Sequence, residues 1–413
     1  MEAVALILHL FSQFLSGVLG DTIQSAFHYG WYWLPPLLAF GLWSAYSYYT
    51  LITYIQSIEW VTLEIKLPRE ILKSPLAMEV VLGAFHQTSD KKLYHRVLQG
   101  FVRAWFSLEL VSSGGEIHFF IRTPSFFRKL IESNIYSQYP DVEIYDVADY
   151  VYSADYTGPD SEYEMWGGEF ILTKPDPYPI KTYMDYGLER DPKEEFKNDP
   201  ITPVIEFLGS IEQGHQIWIQ ILIQGAKKRY KKKDGTMGDW KDEGEVLINK
   251  LMKRDIKPKE GEAKIPTALS STEETVAKAI ARSVSKLGFD CGIRTIYIAK
   301  KDEFKPINFV GVIAQFKQFS SVDLNGFKPN NTTSVDYPWQ DIFGTRVPRM
   351  KRKMLRAYRN RGYFYPPFRR SKPFVLNTEE LATIYHFPGG VSETPTFGRI
   401  ESRRGEPPNN LPL

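Results

Sequence analysis

The residues best suited to binding chemistry form a mixed cationic and aromatic segment near the C-terminus. Between Ile342 and Thr378 the sequence has many Lys and Arg residues and no acidic residue. Cations can follow a phosphate backbone, and aromatic rings offer surfaces on which bases stack. The residues predicted to contact nucleic acid or a protein partner are Arg346, Arg349, Lys351, Arg352, Lys353, Arg356, Tyr358, Arg359, Arg361, Arg369 and Arg370. The alternative is a docking surface for an acidic patch on this chain or on a partner.

A second group of cations occupies Lys227–Lys233 within a hydrophilic stretch, residues 227–266. Two interpretations stay open for this group. It is either a solvated loop or a contact for anionic lipid or nucleic acid. In the second case each cation near a charged membrane contributes about 1 kcal/mol.

The sequence lacks the common local motifs of catalysis. It has no GxxxxGK[ST] phosphate loop, no HExxH, no GxGxxG and no GxSxG. The histidines are scattered without metal-ligand spacing, and the single cysteine, Cys291, excludes an intramolecular disulfide and a cysteine-rich zinc site. We therefore expect a non-catalytic protein without metal or cofactor. A catalytic site assembled from distant residues is the alternative.

Charge is unevenly distributed along the chain, although the net charge is only +2. The stretch Glu132–Asp199 is strongly acidic, whereas 342–378 is basic. This asymmetry predicts two surfaces with different partners. The alternative is an acidic face that packs near the basic one within the same chain.

The N-terminal region has the composition of a membrane anchor. No charged residue occurs between Asp21 and Glu59, and the segment Trp31–Ile55 is apolar and rich in Trp and Tyr. As a helix it would be roughly 37 Å long, enough to cross a bilayer. We therefore predict a transmembrane helix over about 31–55, with Pro35 and Pro36 in its first turn.

The preceding segment, Ala3–Gly20, allows two interpretations. Its polar residues recur at helical spacing, which fits an amphipathic helix on the membrane or a second span. Lys66 is the first Lys or Arg of the chain. The positive-inside rule therefore predicts localisation at the cell membrane with a cytoplasmic soluble region.

The soluble region is expected to be α+β, with two ferredoxin-like α/β units. Alternating residues, a hairpin turn at Ser113–Gly115 and helix signals predict the order β-α-β-β-α-β for the first unit. A similar pattern follows, including a helix whose capping box is predicted at Ser271–Glu274. The predicted organisation is an anchor over 1–58, units over 59–155 and 166–320 with an insertion over 227–266, and a basic, loop-rich segment with a Pro-rich tail over 321–413.

Several longer segments together resemble a known family. They are Leu63–Glu79, Trp105–Leu110, Tyr178–Ser210, Phe374–Pro388 and Glu401–Leu413. They are similar to the N-terminal, membrane-linked domain of unknown function that precedes the motor in conjugation-type ATPases. These are HerA/FtsK-like DNA-translocating proteins related to type IV secretion. The resemblance covers most of the chain after residue 58. Its motifs contain no recognisable catalytic residues, so they identify the family better than an activity.

The resemblance implies a role for this chain in DNA translocation. In the family, the Asn377–Ala382 motif and the Pro-rich tail lead into a nucleotide-binding domain, whereas this sequence ends at Leu413. The expected function is therefore a membrane-anchored scaffold or adaptor for a P-loop ATPase of the HerA/FtsK type on a separate chain. The membrane, that ATPase, DNA and further copies of the chain are the expected partners. A membrane-tethered nucleic-acid-binding protein that uses 346–372 is the alternative.

Overall fold

The computed structural model describes residues 2–68, 71, 73–88, 91–188, 199–232, 235–252, 270–335, 337–369 and 371–389. The chain divides into two compact units. We call them the helical unit, residues 1–58 with 90–102, and the sheet unit, which comprises the rest.

The helical unit contains one long helix, α1 (Glu2–Ser57). It includes both predicted segments, and Pro35 and Pro36 lie inside it rather than in a first turn. Near the end of α1, the Thr50 hydroxyl lies 3.4 Å from the carbonyl oxygen of Val97, which belongs to α3 (Leu93–Leu98). Gly100 lets the two backbones approach, since a Cβ there would lie 2.2 Å from the Thr50 carbonyl oxygen.

The predicted transmembrane anchor is not supported by the structure. Among the helices in the described part of the chain, none combines the length and the hydropathy of a membrane span. Tyr, Trp, Ser and Pro residues lower the mean hydropathy of α1 in the segment that the prediction favoured.

The sheet unit begins with the predicted β-α-β-β-α-β order. Its elements are β1 (Trp60–Lys66), α2 (Pro75–Gly83), β2 (Phe106–Ser113), β3 (Glu116–Pro124), α4 (Arg128–Gln138) and β4 (Glu143–Asp146). Their order in the sheet is β4-β1-β3-β2, and neighbouring strands are antiparallel. The hairpin between β2 and β3 turns at Gly114 and Gly115, both of which have positive φ.

The next part of the chain repeats this strand arrangement with a longer central insertion. Its elements are β5 (Tyr163–Leu172), α5 (Thr202–Gly209), β6 (His215–Gly225), β7 (Tyr230–Lys231), β8 (Met237–Gly238), α6 (Trp240–Leu251), α7 (Ser271–Ser285), β9 (Gly288–Lys300), α8 (Pro306–Gln315) and β10 (Phe327–Asn330). The sheet order is β10-β5-β9-β6. The capping box of α7 uses Ser270 and Glu273, one residue earlier than predicted.

Strands from both predicted units form one antiparallel sheet because β2 pairs with β6. The segment that was expected to be loop-rich contributes β10 at one edge. It also contributes α9 (Arg346–Arg359), β11 (Phe374–Asn377), which pairs with β9, and α10 (Thr378–Ile384). The prediction of a mixed α+β fold is therefore confirmed as a fold with a large antiparallel sheet.

Helix α10 lies in the interior, and its sequence explains how it begins. Asn377 and Glu380 form a reciprocal capping box. Glu379 is buried and lies 2.9 Å from the Lys286 ammonium and 3.0 Å from the Arg282 guanidinium. These contacts join α10 to α7, so the Asn377–Ala382 motif acts here as a structural element.

The two faces of the sheet differ in chemistry. One face is a large apolar core that includes Leu108, Ile219 and Ile293 and is covered by helices. On the other face, a single register row crosses the sheet, with each residue directly opposite the next: Tyr145, Glu64, Phe120, Glu109, Gln220, Arg294, Glu169 and Asn330. This face carries the buried charged residues together with a smaller apolar cluster, and it is partly covered by α9, which carries most of the predicted binding residues.

Candidate polyanion-binding surface on helix α9

Helix α9 is positioned at both ends by specific contacts. At its N-terminus, the Asp341 carboxylate accepts hydrogen bonds of 2.9 Å from the backbone N–H groups of Arg346 and Val347. These bonds lower the pKa of Asp341. At the C-terminus, Gly362 N–H donates to Ala357 O, and Arg361 adopts a positive φ of 47°. A residue in this left-handed conformation commonly ends a helix.

The buried side of α9 packs on the sheet. Met354, Leu355 and Tyr358 belong to an apolar cluster with Trp218 and Ile296. Gly167 allows this packing, because a Cβ there would lie 2.7 Å from Cγ of Met354. The α9 sequence is therefore amphipathic, with its apolar side fixed against the sheet.

The opposite side of α9 is a cationic row, which we define as Arg346, Arg349, Arg352, Lys353 and Arg356. These positions follow helical spacing and therefore share one face. All of these side chains are exposed. Among the described residues, no ion pair is made by Arg349, Arg352, Lys353 or Arg356. The row after Arg346 therefore presents positive charge to solvent without an ion-pair partner among the described residues, whereas Arg346 lies beside Asp341.

Other predicted contact residues are engaged within the chain. Lys351 pairs with Glu164 at 2.5 Å, and the Arg359 guanidinium lies 2.8 Å from the Asp155 carboxylate. Both acidic partners come from the acidic stretch 132–199. For Lys351 and Arg359, the alternative from the charge distribution therefore applies: acidic residues pack against basic ones within the same chain. Arg369 is exposed, and Arg370 lies outside the described residues.

Arg361 lies in the interior instead of on the binding surface. Its guanidinium donates to Glu109 at 2.9 and 3.0 Å and to the Asp149 carboxylate at 2.9 Å. Ser107 and Tyr150 also donate to Glu109. Burial alone raises the pKa of Glu109, but these partners, chiefly Arg361, lower it to about 2.

A second buried ion pair lies along the same register row. Arg294 and Glu169 are fully buried and 2.9 Å apart. Burial alone raises the pKa of Glu169, but Arg294 and hydrogen bonds from Asn331 and Ser371 leave that pKa lowered. Gln220 lies between the two pairs, since its amide donates to Glu109 at 3.1 Å and accepts from Arg294 at 3.3 Å. The network is internally neutralised, which fits a structural role.

Part of the aromatic surface in the basic segment 342–378 is buried, whereas Tyr365 and Phe368 are half-buried. Tyr358, Tyr363 and Phe364 are buried, and the Tyr358 hydroxyl lies 2.8 Å from that of Tyr150. Tyr358 occupies the sheet side of α9, which is why its ring is inaccessible to a base. The prediction therefore retains its cations on α9 but loses these rings.

A family of known proteins matches most of the chain. The family model described as a domain of unknown function, DUF8128, matches residues 55–398, which is more than half of the sequence. The chain belongs to the DUF8128 family. No curated protein matches the sequence. The match to DUF8128 agrees with the predicted domain of unknown function, and the family description assigns no activity to it.

The second basic group of the DUF8128 domain is also partly neutralised. Arg229 pairs with Asp176 and with Asp290, and Lys232 pairs with Asp242. Lys227 donates to the Tyr365 hydroxyl at 3.2 Å. Lys228 and Lys231 are exposed, whereas Lys233 lies outside the described residues. This group therefore contributes less uncompensated charge than its sequence indicates.

A shallow groove of the DUF8128 domain contains a Glu–His pair. His118 Nδ1 lies 2.7 Å from Glu64, and this hydrogen bond is the main reason why the pKa of Glu64 is lowered. A cavity of about 310 Å³ lies beside the pair and is lined in part by Phe120 and Tyr150. Within the described ranges, no group of three His, Cys, Asp or Glu side chains is placed to hold a metal ion.

An exposed apolar loop directly before α9 was not predicted from the sequence. We define the apolar loop as residues 337–344, where Tyr337, Trp339, Ile342 and Phe343 all face solvent. Pro338, Gln340 and Asp341 interrupt them, so they follow neither helical nor strand periodicity. The aromatic residues beside the cationic row of the DUF8128 domain are thus N-terminal to it, not within it.

Proposed function

We propose that this DUF8128 protein is a non-catalytic scaffold at the cell membrane for a DNA-translocating P-loop ATPase of the HerA/FtsK type. In this proposal the sheet unit lies on the cytoplasmic side of the membrane. The resemblance to the membrane-linked domain of conjugation-type ATPases supports the choice of partner. Membership of DUF8128 is compatible with it, and the family description names no other activity.

The observation that carries the membrane part of the proposal is the exposed surface of α1. Leu37, Leu38, Phe40, Leu42 and Trp43 are all exposed, and their helical positions distribute them around the whole helix. A helix that is apolar on all sides is stable when lipid or other helices cover it. Its Trp and Tyr side chains are of the type that concentrates at membrane interfaces.

The arrangement of charges in the sheet unit supports a non-catalytic role. Glu109, Glu169, Arg294 and Arg361 are buried and satisfy one another. Catalytic groups, in contrast, need access to a substrate. The Glu64–His118 pair beside the groove is the place where an unexpected activity would be sought first.

Affinity isolation from cross-linked membranes tests the partner directly. The tagged full-length chain would be isolated in mild detergent and its partners identified by mass spectrometry, with an unrelated membrane protein of equal abundance as the control bait. We expect a P-loop ATPase of the HerA/FtsK type to be enriched only with this chain. Recovery of the chain without any such ATPase would contradict the proposed partner.

Direct contact with nucleic acid is a second candidate function, favoured by the cationic row. It predicts binding that weakens steeply with salt, since bound cations release counterions from the phosphate backbone. The matched variants are R349A/R352A/K353A/R356A and, as a control at four exposed lysines elsewhere, K250A/K278A/K317A/K328A. Fluorescence anisotropy with labelled duplex and single-stranded DNA should separate them. Equal affinity of the two variants would remove this candidate.

A further inference from the structure

The apolar loop exposes side chains that a soluble protein normally shields. The exposed fractions are 66% for Trp339, 76% for Ile342 and 87% for Phe343. Single exposed apolar residues are common on protein surfaces, but a contiguous set marks a binding surface. These residues lie within the same short loop, close enough in sequence to act together as such a set.

The loop is held in its exposed position by local contacts. Tyr337 and Trp339 stack with their ring centroids 4.5 Å apart. Asp341, between Trp339 and Ile342 in sequence, is fixed by its two hydrogen bonds to the start of α9. The Arg346 guanidinium also donates to the Gln340 carbonyl oxygen at 3.1 Å. The apolar side chains are therefore presented by a structured turn.

The cationic row begins where the apolar loop ends. Arg346 is both the first residue of α9 and a hydrogen-bond donor to the loop, and Arg349 and Lys353 follow on the same exposed face. The sheet unit thus carries an apolar tip and a cationic flank next to each other. An occupant of this surface must offer both negative charge and an apolar phase.

An anionic bilayer meets both requirements. Its headgroups pair with Arg and Lys, while its interface accepts Trp, Phe and Ile side chains. Nucleic acid offers the charge but no counterpart for Ile342, and Tyr337 and Trp339 already stack on each other. We propose that the apolar loop and the cationic row dock together on the surface of an anionic membrane. This inference rests on the proposed function at a membrane and adds a second point of attachment on the sheet unit.

A fluorescent label in the loop tests this contact in the full-length chain. Cys291 is fully buried, and burial raises the pKa of its thiol, so F343C would be labelled selectively with an environment-sensitive dye. V322C, at an exposed loop position elsewhere, is the matched control. The vesicles would contain phosphatidylcholine alone or with phosphatidylglycerol, each with and without a nitroxide-labelled lipid.

On anionic vesicles, we expect the emission of the label at residue 343 to shift to the blue and to be quenched by the nitroxide lipid. The label at residue 322 should show neither change. R349A/R352A/K353A/R356A should weaken the affinity for anionic vesicles by up to about a thousandfold, because each cation near an anionic surface adds about 1 kcal/mol. K250A/K278A/K317A/K328A should leave it nearly unchanged. A label at residue 343 that stays unquenched on anionic vesicles would overturn the inference. A response to duplex DNA without nitroxide quenching would assign the surface to nucleic acid and overturn it as well.

Flotation of the same samples separates this inference from the proposed function. If the chain floats with neutral vesicles while residue 343 stays unquenched on anionic vesicles, the second attachment point is wrong and attachment through α1 stands. If residue 343 is quenched but high salt releases the chain, the loop inference stands and attachment through α1 fails. If the chain floats with neither type of vesicle, both are wrong.

Discussion

The guanidinium of Arg361 holds the carboxylate of Glu109 through two hydrogen bonds of 2.9 and 3.0 Å, although 252 positions separate them in the sequence. Both side chains are buried. Glu109 lies at the centre of the sheet on β2, and Arg361 follows α9 directly. This pair therefore attaches the C-terminal end of α9, the helix that carries the cationic row, to the centre of the sheet.

Replacing Arg361 should destabilise the sheet unit strongly. Arg361→Met leaves the buried Glu109 carboxylate without its cationic partner, whereas Asp149 keeps its ion pair with Arg122. Breaking a buried ion pair costs about 3–5 kcal/mol. The double variant E109L/R361M should be less destabilised than the sum of its single variants, since it also removes the stranded carboxylate. Urea unfolding of the four proteins in this cycle measures the coupling. Strict additivity would show that the pair does not act as a unit.

The ion pair should also make stability depend on acid pH. The pKa of Glu109 is about 2, against 4.5 for an unperturbed glutamate. Because the folded-state pKa is the lower one, the stabilisation is fully present above pH 4.5 and is lost as the pH falls through 2. The advantage of wild type over Glu109→Gln should therefore shrink by about 3 kcal/mol across this window. Urea unfolding at a series of acid pH values would show this, and a constant difference would contradict it.

Glu380 should give a pH dependence of the opposite sign. Burial raises its pKa to about 8 despite hydrogen bonds from the backbone N–H groups of Asn377 and Ile180. Since the folded-state pKa is the higher one, stability falls as the pH rises from 4.5 towards 8. Glu380→Gln keeps one acceptor and cannot ionise, so its stability relative to wild type should improve over that interval. Thermal unfolding at several pH values measures the trend, and parallel profiles would refute it.

Gly292 should tolerate no side chain. A Cβ there would lie 2.4 Å from the ring of Tyr363. Tyr363 follows α9 in the sequence, and its ring packs on β9 at Gly292. Gly292→Ala should push the ring away and cost about 1–3 kcal/mol, as overpacking usually does. Gly83→Ala is the matched control, because a Cβ at that position would meet no heavy atom within 4 Å beyond its own helix. Equal stability of the two variants in urea would show that the Tyr363 contact yields without cost.

Local patterns in the sequence were sufficient for the elements built from them. Alternation around Ser113–Gly115 predicted the β2–β3 hairpin, and the capping-box pattern at Ser271–Glu274 predicted the start of α7 to within one residue. The buried and exposed faces of α9 could not be predicted in the same way, because a count of cations does not show which side of a helix packs on the sheet. Lys351 and Arg359 find acidic partners on loops and strands far away in sequence. Such pairings depend on tertiary structure.

The candidate site could be predicted only in part, because it also depends on tertiary structure. Arg349, Arg352, Lys353 and Arg356 have the helical spacing of one face, which the sequence contains, but their exposure depends on the anchoring by Arg361 and Tyr358. Trp339, Ile342 and Phe343 have no periodic spacing. Their exposure depends on the turn that Asp341 holds at the start of α9.

Attachment to a membrane through α1 underlies the proposed function, and vesicle flotation in high salt is its decisive test. High salt screens the cationic row, so only apolar contacts should hold the chain. We expect wild type and the control L76S/V80S/L287S/I307S to float, and L37S/L38S/F40S/L42S, altered at exposed positions of α1, to remain at the bottom of the gradient. A wild-type chain that stays at the bottom with every vesicle composition would show that α1 does not attach it to lipid.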